Sequence, residues 1–366
     1  MKENRLKIGM AMFAIIFFAI SPTNHALGAS YNVIDLTPNG FHFSYANGIG
    51  DTQQVGFGRS GSSADHALLW NGSADSYIDL NPSGFIGSHA LGTNGTQQVG
   101  YGNNHAMLWN GSADSYVDLN PSASGFSESQ AYSTNGAQQV GWGYGSATGN
   151  NHHALLWIGS AESYIDLTPS GFSWSEAYSI SDTQQVGYAS GSAADYWQAL
   201  LWNSSADSYI ILNPVGFGEC VAYGISGNQE VGEGEYIAAG NAHHALLWYG
   251  SADSYVDLNP SGFSESQAYG TNGTQQVGYS GGPTTGDRRH AFFWNGSADS
   301  YIDLHQYLPN NFIASDAYGI SSNGNIVGEA YDTSGNEHAI LWQLTPEPAT
   351  LLLLGIGGLF LRRRKA

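Results

Sequence analysis

The chain has 366 residues, with ten Lys or Arg against 30 Asp or Glu, one Cys, 49 Gly and 13% aromatic residues. Its formal net charge of −20 excludes nucleic acid and anionic lipid as natural partners. A single Cys excludes an intrachain disulfide, so stability must come from packing.

Residues 1–28 read as a signal peptide. Lys2, Arg5 and Lys7 precede an apolar stretch from Ile8 to Ile20, and Ala26-Leu27-Gly28 supplies small residues for cleavage. An N-terminal membrane anchor is the alternative, although the stretch is short for a spanning helix.

From residue 29 to 344 the chain repeats itself with a period near 46 residues. This body holds three Arg, no Lys and 28 acids, a net charge of −25. Seven strands end in Trp: His66–Trp70, His105–Trp109, His153–Trp157, Gln198–Trp202, His244–Trp248, His290–Trp294 and His338–Trp342. Each unit offers four short strands: an Ala-Tyr-Gly-like one (Ala90–Gly92, Ala131–Ser133, Ala222–Gly224, Ala268–Gly270), a Gln-Gln-Val-Gly one, the Trp-ending one, and Tyr-Ile-Asp-Leu. Asn-Gly turns such as Asn94-Gly95 and Asn272-Gly273 join the first two as hairpins. The pattern predicts an all-β fold, a seven-bladed β-propeller of four-stranded antiparallel blades. A β-solenoid is the alternative, opposed by the hairpin turns. Ile34-Asp35-Leu36 is a fourth strand with no third before it, and His338–Trp342 is a third with no fourth after it. The N-terminal strand is therefore expected to join and close the last blade.

A four-residue turn, Asn71 to Ala74, would set Leu68 opposite Tyr77 and His66 opposite Asp79. The same offset of thirteen links His105 to Asp118, His153 to Asp166, His244 to Asp257 and His290 to Asp303. One unit has Gln198 and Ile211 instead, losing both partners together. His338 and Asp35 then become partners across the closure. One His per blade is spread around a ring and does not converge on a metal, so these pairs read as structural. The sequons at Asn71, Asn110, Asn203 and Asn295 read as turn chemistry. Asp75, Asp114, Glu162, Asp207, Asp253 and Asp299 would ring one face. They lack a calcium-loop spacing, so calcium is a weak candidate and no cofactor is expected. Cys220 reads as a buried, inert thiol.

The units disagree most over Phe57–Asp65, Trp142–His152, Tyr188–Trp197, Glu233–His243 and Tyr279–Arg289. An up-and-down topology puts these loops on one face, opposite the Asn-Gly turns. They carry Trp142, Tyr144, Tyr196, Trp197, Tyr236, Arg288 and Arg289, residues suited to stacking on sugar faces; ordinary loop packing is the alternative. The residues just before each innermost Ala are Tyr45, His89, Gln130, Glu176, Val221, Gln267 and Asp316. Of these, His89, Glu176 and Asp316 are candidates for the channel mouth, with Glu128, Glu219 and Glu265 nearby. Two such carboxylates could serve as acid and base on a glycosidic bond.

Residues 345–366 form the tail. Pro346-Glu347-Pro348, an apolar run from Ala349 to Leu361 and the basic end Arg362–Lys365 together resemble the PEP-CTERM sorting signal. The resemblance implies export in a Gram-negative bacterium, the secretion machinery and an exosortase as partners, transient membrane anchoring through the tail, and an exopolysaccharide-producing setting. A retained anchor is the alternative. The repeat itself resembles HAF-type extracellular repeats; His290-Ala291-Phe292 matches the triplet, and the other units have Leu, Met or Ile in third place. That resemblance implies an extracellular location and no particular activity. The expectation is an exported, surface-sorted, non-enzymatic propeller that binds or scaffolds matrix or polysaccharide. A glycan hydrolase or lyase at the channel mouth and a protein-interaction module are the alternatives.

Overall fold

The computed structural model describes residues 29–61, 64–191 and 194–345. The expected signal peptide and the tail beyond Thr345, including Pro346, Glu347 and Pro348, lie outside the described residues.

Seven four-stranded antiparallel sheets make a seven-bladed propeller. Blade I runs inside to outside as Phe41–Ile49, Gln54–Ser60, His66–Trp70 and Ile78–Asp79. Blades II to VI repeat the order over 88–118, 126–166, 174–211, 217–257 and 265–303. Blade VII takes its first three strands from the end of the chain, Phe312–Ile320, Ile326–Asp332 and Glu337–Thr345. Its outer strand is Ser30–Asp35, which pairs from Ser30↔Thr345 to Asp35↔Ile340. The N-terminal strand thus closes the ring.

The repeat's signature residues have distinct jobs. The seven Trp of the third strands are fully buried, packed between neighbouring blades with the second-strand Val and third-strand Leu. The Gly of each Val-Gly sits where the first strand bulges toward it. A Cβ on Gly56, Gly100, Gly141, Gly187, Gly232, Gly278 or Gly328 would lie 1.8–1.9 Å from a first-strand carbonyl oxygen, so no side chain fits in any blade.

A buried Ser two residues before each innermost Ala latches one blade to the next. Ser88 Oγ accepts from the Ala67 N–H at 3.1 Å, and Ser129, Ser175, Ser266, Ser315 and Ser44 do the same for Ala106, Ala154, Ala245, Ala291 and Ala339. Cys220 takes this place in blade V. It is buried, burial pushes its thiol pKa up, and Asn213 Oδ1 accepts from the Ala199 N–H instead at 2.8 Å.

The outer hairpins correct one expectation. Leu68 pairs with Asp79 and Leu69 with Ile78, so Leu68 is not opposite Tyr77, nor His66 opposite Asp79. A 3-10 turn, Ala74–Ser76, lengthens the connection by two residues, held by Ser76 Oγ donating to Ser73 O at 2.6 Å. The shift is even, so every side chain keeps its face. His66 therefore reaches Asp79 diagonally, with Nδ1 at 2.7 Å from Oδ2. The other pairs have the same geometry at 2.7–2.9 Å: His105–Asp118, His153–Asp166, His244–Asp257, His290–Asp303 and, across the closure, His338–Asp35. The second carboxylate oxygen accepts a backbone N–H two residues on, as Asp79 Oδ1 does from Asn81 at 2.8 Å. Burial works against the Asp35 carboxylate, but the bonds from His338 and Thr37 outweigh it and hold its pKa below the usual range.

Candidate functional site

The bulge of each first strand turns one residue toward the axis. In blades III to VII that residue is a Tyr, and Tyr132, Tyr178, Tyr223, Tyr269 and Tyr318 form an arc with successive ring centroids 5.0–5.4 Å apart. Asn47 and Leu91 complete the lining, and the space left is about 210 Å³. The channel is lined by rings and offers little room for a polymer.

Above this arc, on the face away from the Asn-Gly turns, lie the residues singled out in the sequence. The variable segments are mostly strand extensions. Trp142 and Tyr144 belong to the strand Gln139–Gly145, Tyr196 and Trp197 to Ala194–Trp202, Tyr236 to Gln229–Tyr236, and Arg288 and Arg289 to Arg288–Trp294. Trp142 is therefore not a loop aromatic; it pairs with Gln130 and Ala154 and is 6% exposed. Tyr236 likewise packs against Phe217 and His244.

Blades III and IV bring several of these residues together. Trp142 stacks on His152 at 3.9 Å and 5°, and His152 stacks in turn on Trp174 at 4.2 Å. His152 Nδ1 lies 2.8 Å from Glu176 Oε1. The indole N–H of Trp142 donates to Tyr132 Oη and that of Trp174 to Tyr188 Oη, both at 2.9 Å. Tyr188 packs against Trp197 at 4.9 Å. The result is one row of rings, Trp142, His152, Trp174, Tyr188 and Trp197, with Tyr144 edge-on to His152. Its inner members are buried or half-buried, whereas Tyr196 and Trp197 are 46% and 44% exposed. Glu176 is buried beneath the row.

The remaining candidates are dispersed. His89 lies between Phe57 and Tyr101, ring to ring at 3.9 and 4.8 Å. Burial lowers its pKa against the pull of Asp65, whose Oδ2 is 3.3 Å from Nε2. Asp65 also accepts from Arg59 Nε at 2.7 Å, and these three residues line a shallow cleft of about 470 Å³. Arg289 lies over the Tyr279 ring at 4.3 Å and 3.7 Å from Glu265, while Arg288 is exposed. Asp316 is buried and its pKa is pushed up to about 6 by that burial. Across from it stands Glu329, raised to about 8 by burial and bonded by Tyr318 Oη at 2.5 Å.

Two functional-looking histidines escaped the sequence reading. His152 and His243 each precede a repeat His, and each meets a buried carboxylate, Glu176 and Glu233, at 2.8 Å. The His-His doublets at 152–153 and 243–244 were the available signal. Glu233 also accepts from Tyr223 Oη at 2.6 Å and from Gln267 Nε2. Among the described residues, no three His, Cys, Asp or Glu side chains form a group that could hold a metal ion.

Comparison with known proteins agrees with this architecture. The class is a seven-bladed β-propeller followed by a sorting tail. Residues 344–365 match the PEP-CTERM protein-sorting motif, which implies an exported, surface-sorted protein recognised by an exosortase. The fold is similar to the β-propeller domain of the trilobed protease from Pyrococcus furiosus, a domain of open velcro topology. That match has 9% identity and a TM-score of 0.54, and it covers 84% of this chain and 99% of that one. It is also similar to puromycin hydrolase, solved as a serine-to-alanine mutant complexed with PGG, at 9% identity and a TM-score of 0.55. The chain covers 54% of that hydrolase. At such identities the likeness is one of fold alone. No curated protein matches the chain.

Proposed function

We propose that this is an exported, non-enzymatic propeller that binds or scaffolds extracellular polysaccharide or matrix through the aromatic row of blades III and IV. The observation that carries the reading is the row's construction. Its inner rings are pre-set by stacking and by indole N–H bonds to tyrosines, and its outer end presents Tyr196 and Trp197 to solvent. Rigid rings of this kind stack on the C–H faces of sugars with little loss of side-chain entropy. The body's net charge of −25 favours a neutral or amine-bearing polymer over an acidic one. Glu176 is buried and already bonded to His152, which supports binding over acid–base chemistry. In the same proposal residues 1–28 are a removed signal peptide, 29–344 the working domain and 345–366 a sorting tail that anchors transiently. The HAF-type resemblance of the repeat supports the extracellular setting, and no cofactor is invoked.

Glycan-array binding tests the proposal. Trp197→Ala and Tyr196→Ala are expected to fold and to weaken binding by about tenfold or more, the scale of an exposed aromatic anchor. Trp142→Ala is expected to lose binding together with stability, because it is buried. Absence of binding to every glycan, or binding unchanged in Trp197→Ala and Tyr196→Ala, sinks the idea.

A further inference from the structure

We infer that two copies of this chain pair edge to edge through the outer strand of blade IV, Tyr209–Ile211. The inference is independent of the polysaccharide reading and comes from comparing the seven blade rims.

Six outer strands carry a half-exposed carboxylate, namely Asp35, Asp79, Asp118, Asp166, Asp257 and Asp303. Charged side chains on edge strands prevent sheets from adding to one another, and in a body of net charge −25 they also repel a second copy. Blade IV has Ile211 at this position, with Ile210 beside it, 40% and 48% exposed. The residue after the following Pro is Ser or Asn in the other units and Val215 here. Two positions have thus changed to apolar in one unit, Ile211 from a carboxylate and Val215 from a polar residue, and Gln198 marks the loss of the His that Ile211 no longer needs.

The backbone is ready for pairing. Leu212 N–H donates to Ala199 O and Asn203 N–H to Ser208 O, both at 2.9 Å. Alternation along an antiparallel ladder then turns the backbone groups of Ser208, Ile210 and Leu212 inward, and leaves those of Tyr209 and Ile211 facing outward. A two-fold axis through Ile210 would set Tyr209 against Ile211 of the second copy and the reverse. Such a contact is self-complementary and closes at two subunits. Ile210 would meet its own copy in a non-hydrogen-bonded pair, where side chains come closest. A groove of about 610 Å³, lined in part by Leu201, Trp202, Tyr209 and Ile210, runs beside the strand. It lies next to the one outer turn in which a Ser, Ser204 at φ +57°, stands where five other turns have Gly. Of the seven outer edges that a second copy offers, only its own blade IV strand lacks the carboxylate, so the contact joins this strand to itself.

Sedimentation velocity of the full chain over a range of concentrations, in mild detergent because both terminal segments are apolar, tests the inference. The wild-type chain is expected to double in mass as concentration rises. The double variant Gln198→His with Ile211→Asp restores what the other blades carry; it is expected to keep the melting temperature and remain a monomer. Ile210→Cys, with Cys220 buried, is expected to form a disulfide-linked dimer on oxidation. A wild-type chain that stays monomeric throughout, a double variant that dimerises as well as wild type, or the absence of a link between the two introduced cysteines overturns it. Glycan binding retained by a monomeric double variant would leave the polysaccharide proposal standing, so the two fail separately.

Discussion

Blades II and IV share an interior and differ at the rim. Near the axis, a Cβ on Gly100 or on Gly187 would lie 1.9 Å from the equivalent first-strand carbonyl oxygen, that of His89 or of Glu176, and Trp109 and Trp202 are equally buried. Outside, blade II has His105–Asp118, Gly111 in its turn and Ser129 as its latch to blade III. Blade IV has Gln198 and Ile211, Ser204 in the turn, and Asn213 doing the latch's work because Cys220 cannot. Contacts made by backbone against backbone leave no substitute for Gly. Contacts made by pairs of side chains can be exchanged, provided both members change.

The largest effect should come from the interior, and it should be the same in both blades. Gly100→Ala and Gly187→Ala would each drive a Cβ into a carbonyl and are expected to cost more than about 3 kcal/mol in urea unfolding. A mild loss in blade IV alone would mean that its interior has relaxed as well. Next comes Glu230, which caps the turn at Gly250 N–H where blades I to IV and VI use Gln. Burial raises its pKa from 4.5 to about 7. The folded state keeps a proton that the unfolded state releases, so stability falls as pH rises through that window. Glu230→Gln is therefore expected to stabilise by up to about 3 kcal/mol above pH 7 and by almost nothing near pH 4. Melting temperatures across pH check this, and a gain independent of pH would contradict it. The smallest effect concerns the latch. Ser129→Ala and Asn213→Ala each strand a buried N–H and should cost about 1–2 kcal/mol alike. If only Ser129→Ala is costly, the latch at blade IV is not equivalent to the others.

The period of the Trp-ending strands made the blade number legible, and the missing third and fourth strands made the closure legible. The His–Asp offset could be read because it is constant, although the register around it was misread. A Ser-rich turn can form one 3-10 turn without changing the residue count, and nothing in the spacing distinguishes the two. The Val-Gly glycine was present in every unit and the latching Ser in all but blade V, where Cys220 stands, but their reasons lie in contacts between strands or blades. Seen one at a time, Tyr132, Tyr178, Tyr223, Tyr269 and Tyr318 looked like ordinary strand residues; only ring closure makes them a channel lining. Trp174 belongs to a single unit and the extra His to only two, at 152 and 243, so repetition drew little attention to them, and Trp142 passed for a loop residue because the strand runs past its usual length.

The strand Glu337–Thr345 is flanked on one side by Ser30–Asp35 and on the other by Ile326–Asp332. The sorting tail continues directly from its last residue. A pull on that tail is therefore directed along a strand gripped on both sides, and loads its hydrogen bonds together in shear instead of opening them one by one. The seam of the ring, where the first and last strands of the propeller pair, is thus also arranged to bear tension between the propeller and whatever holds its tail.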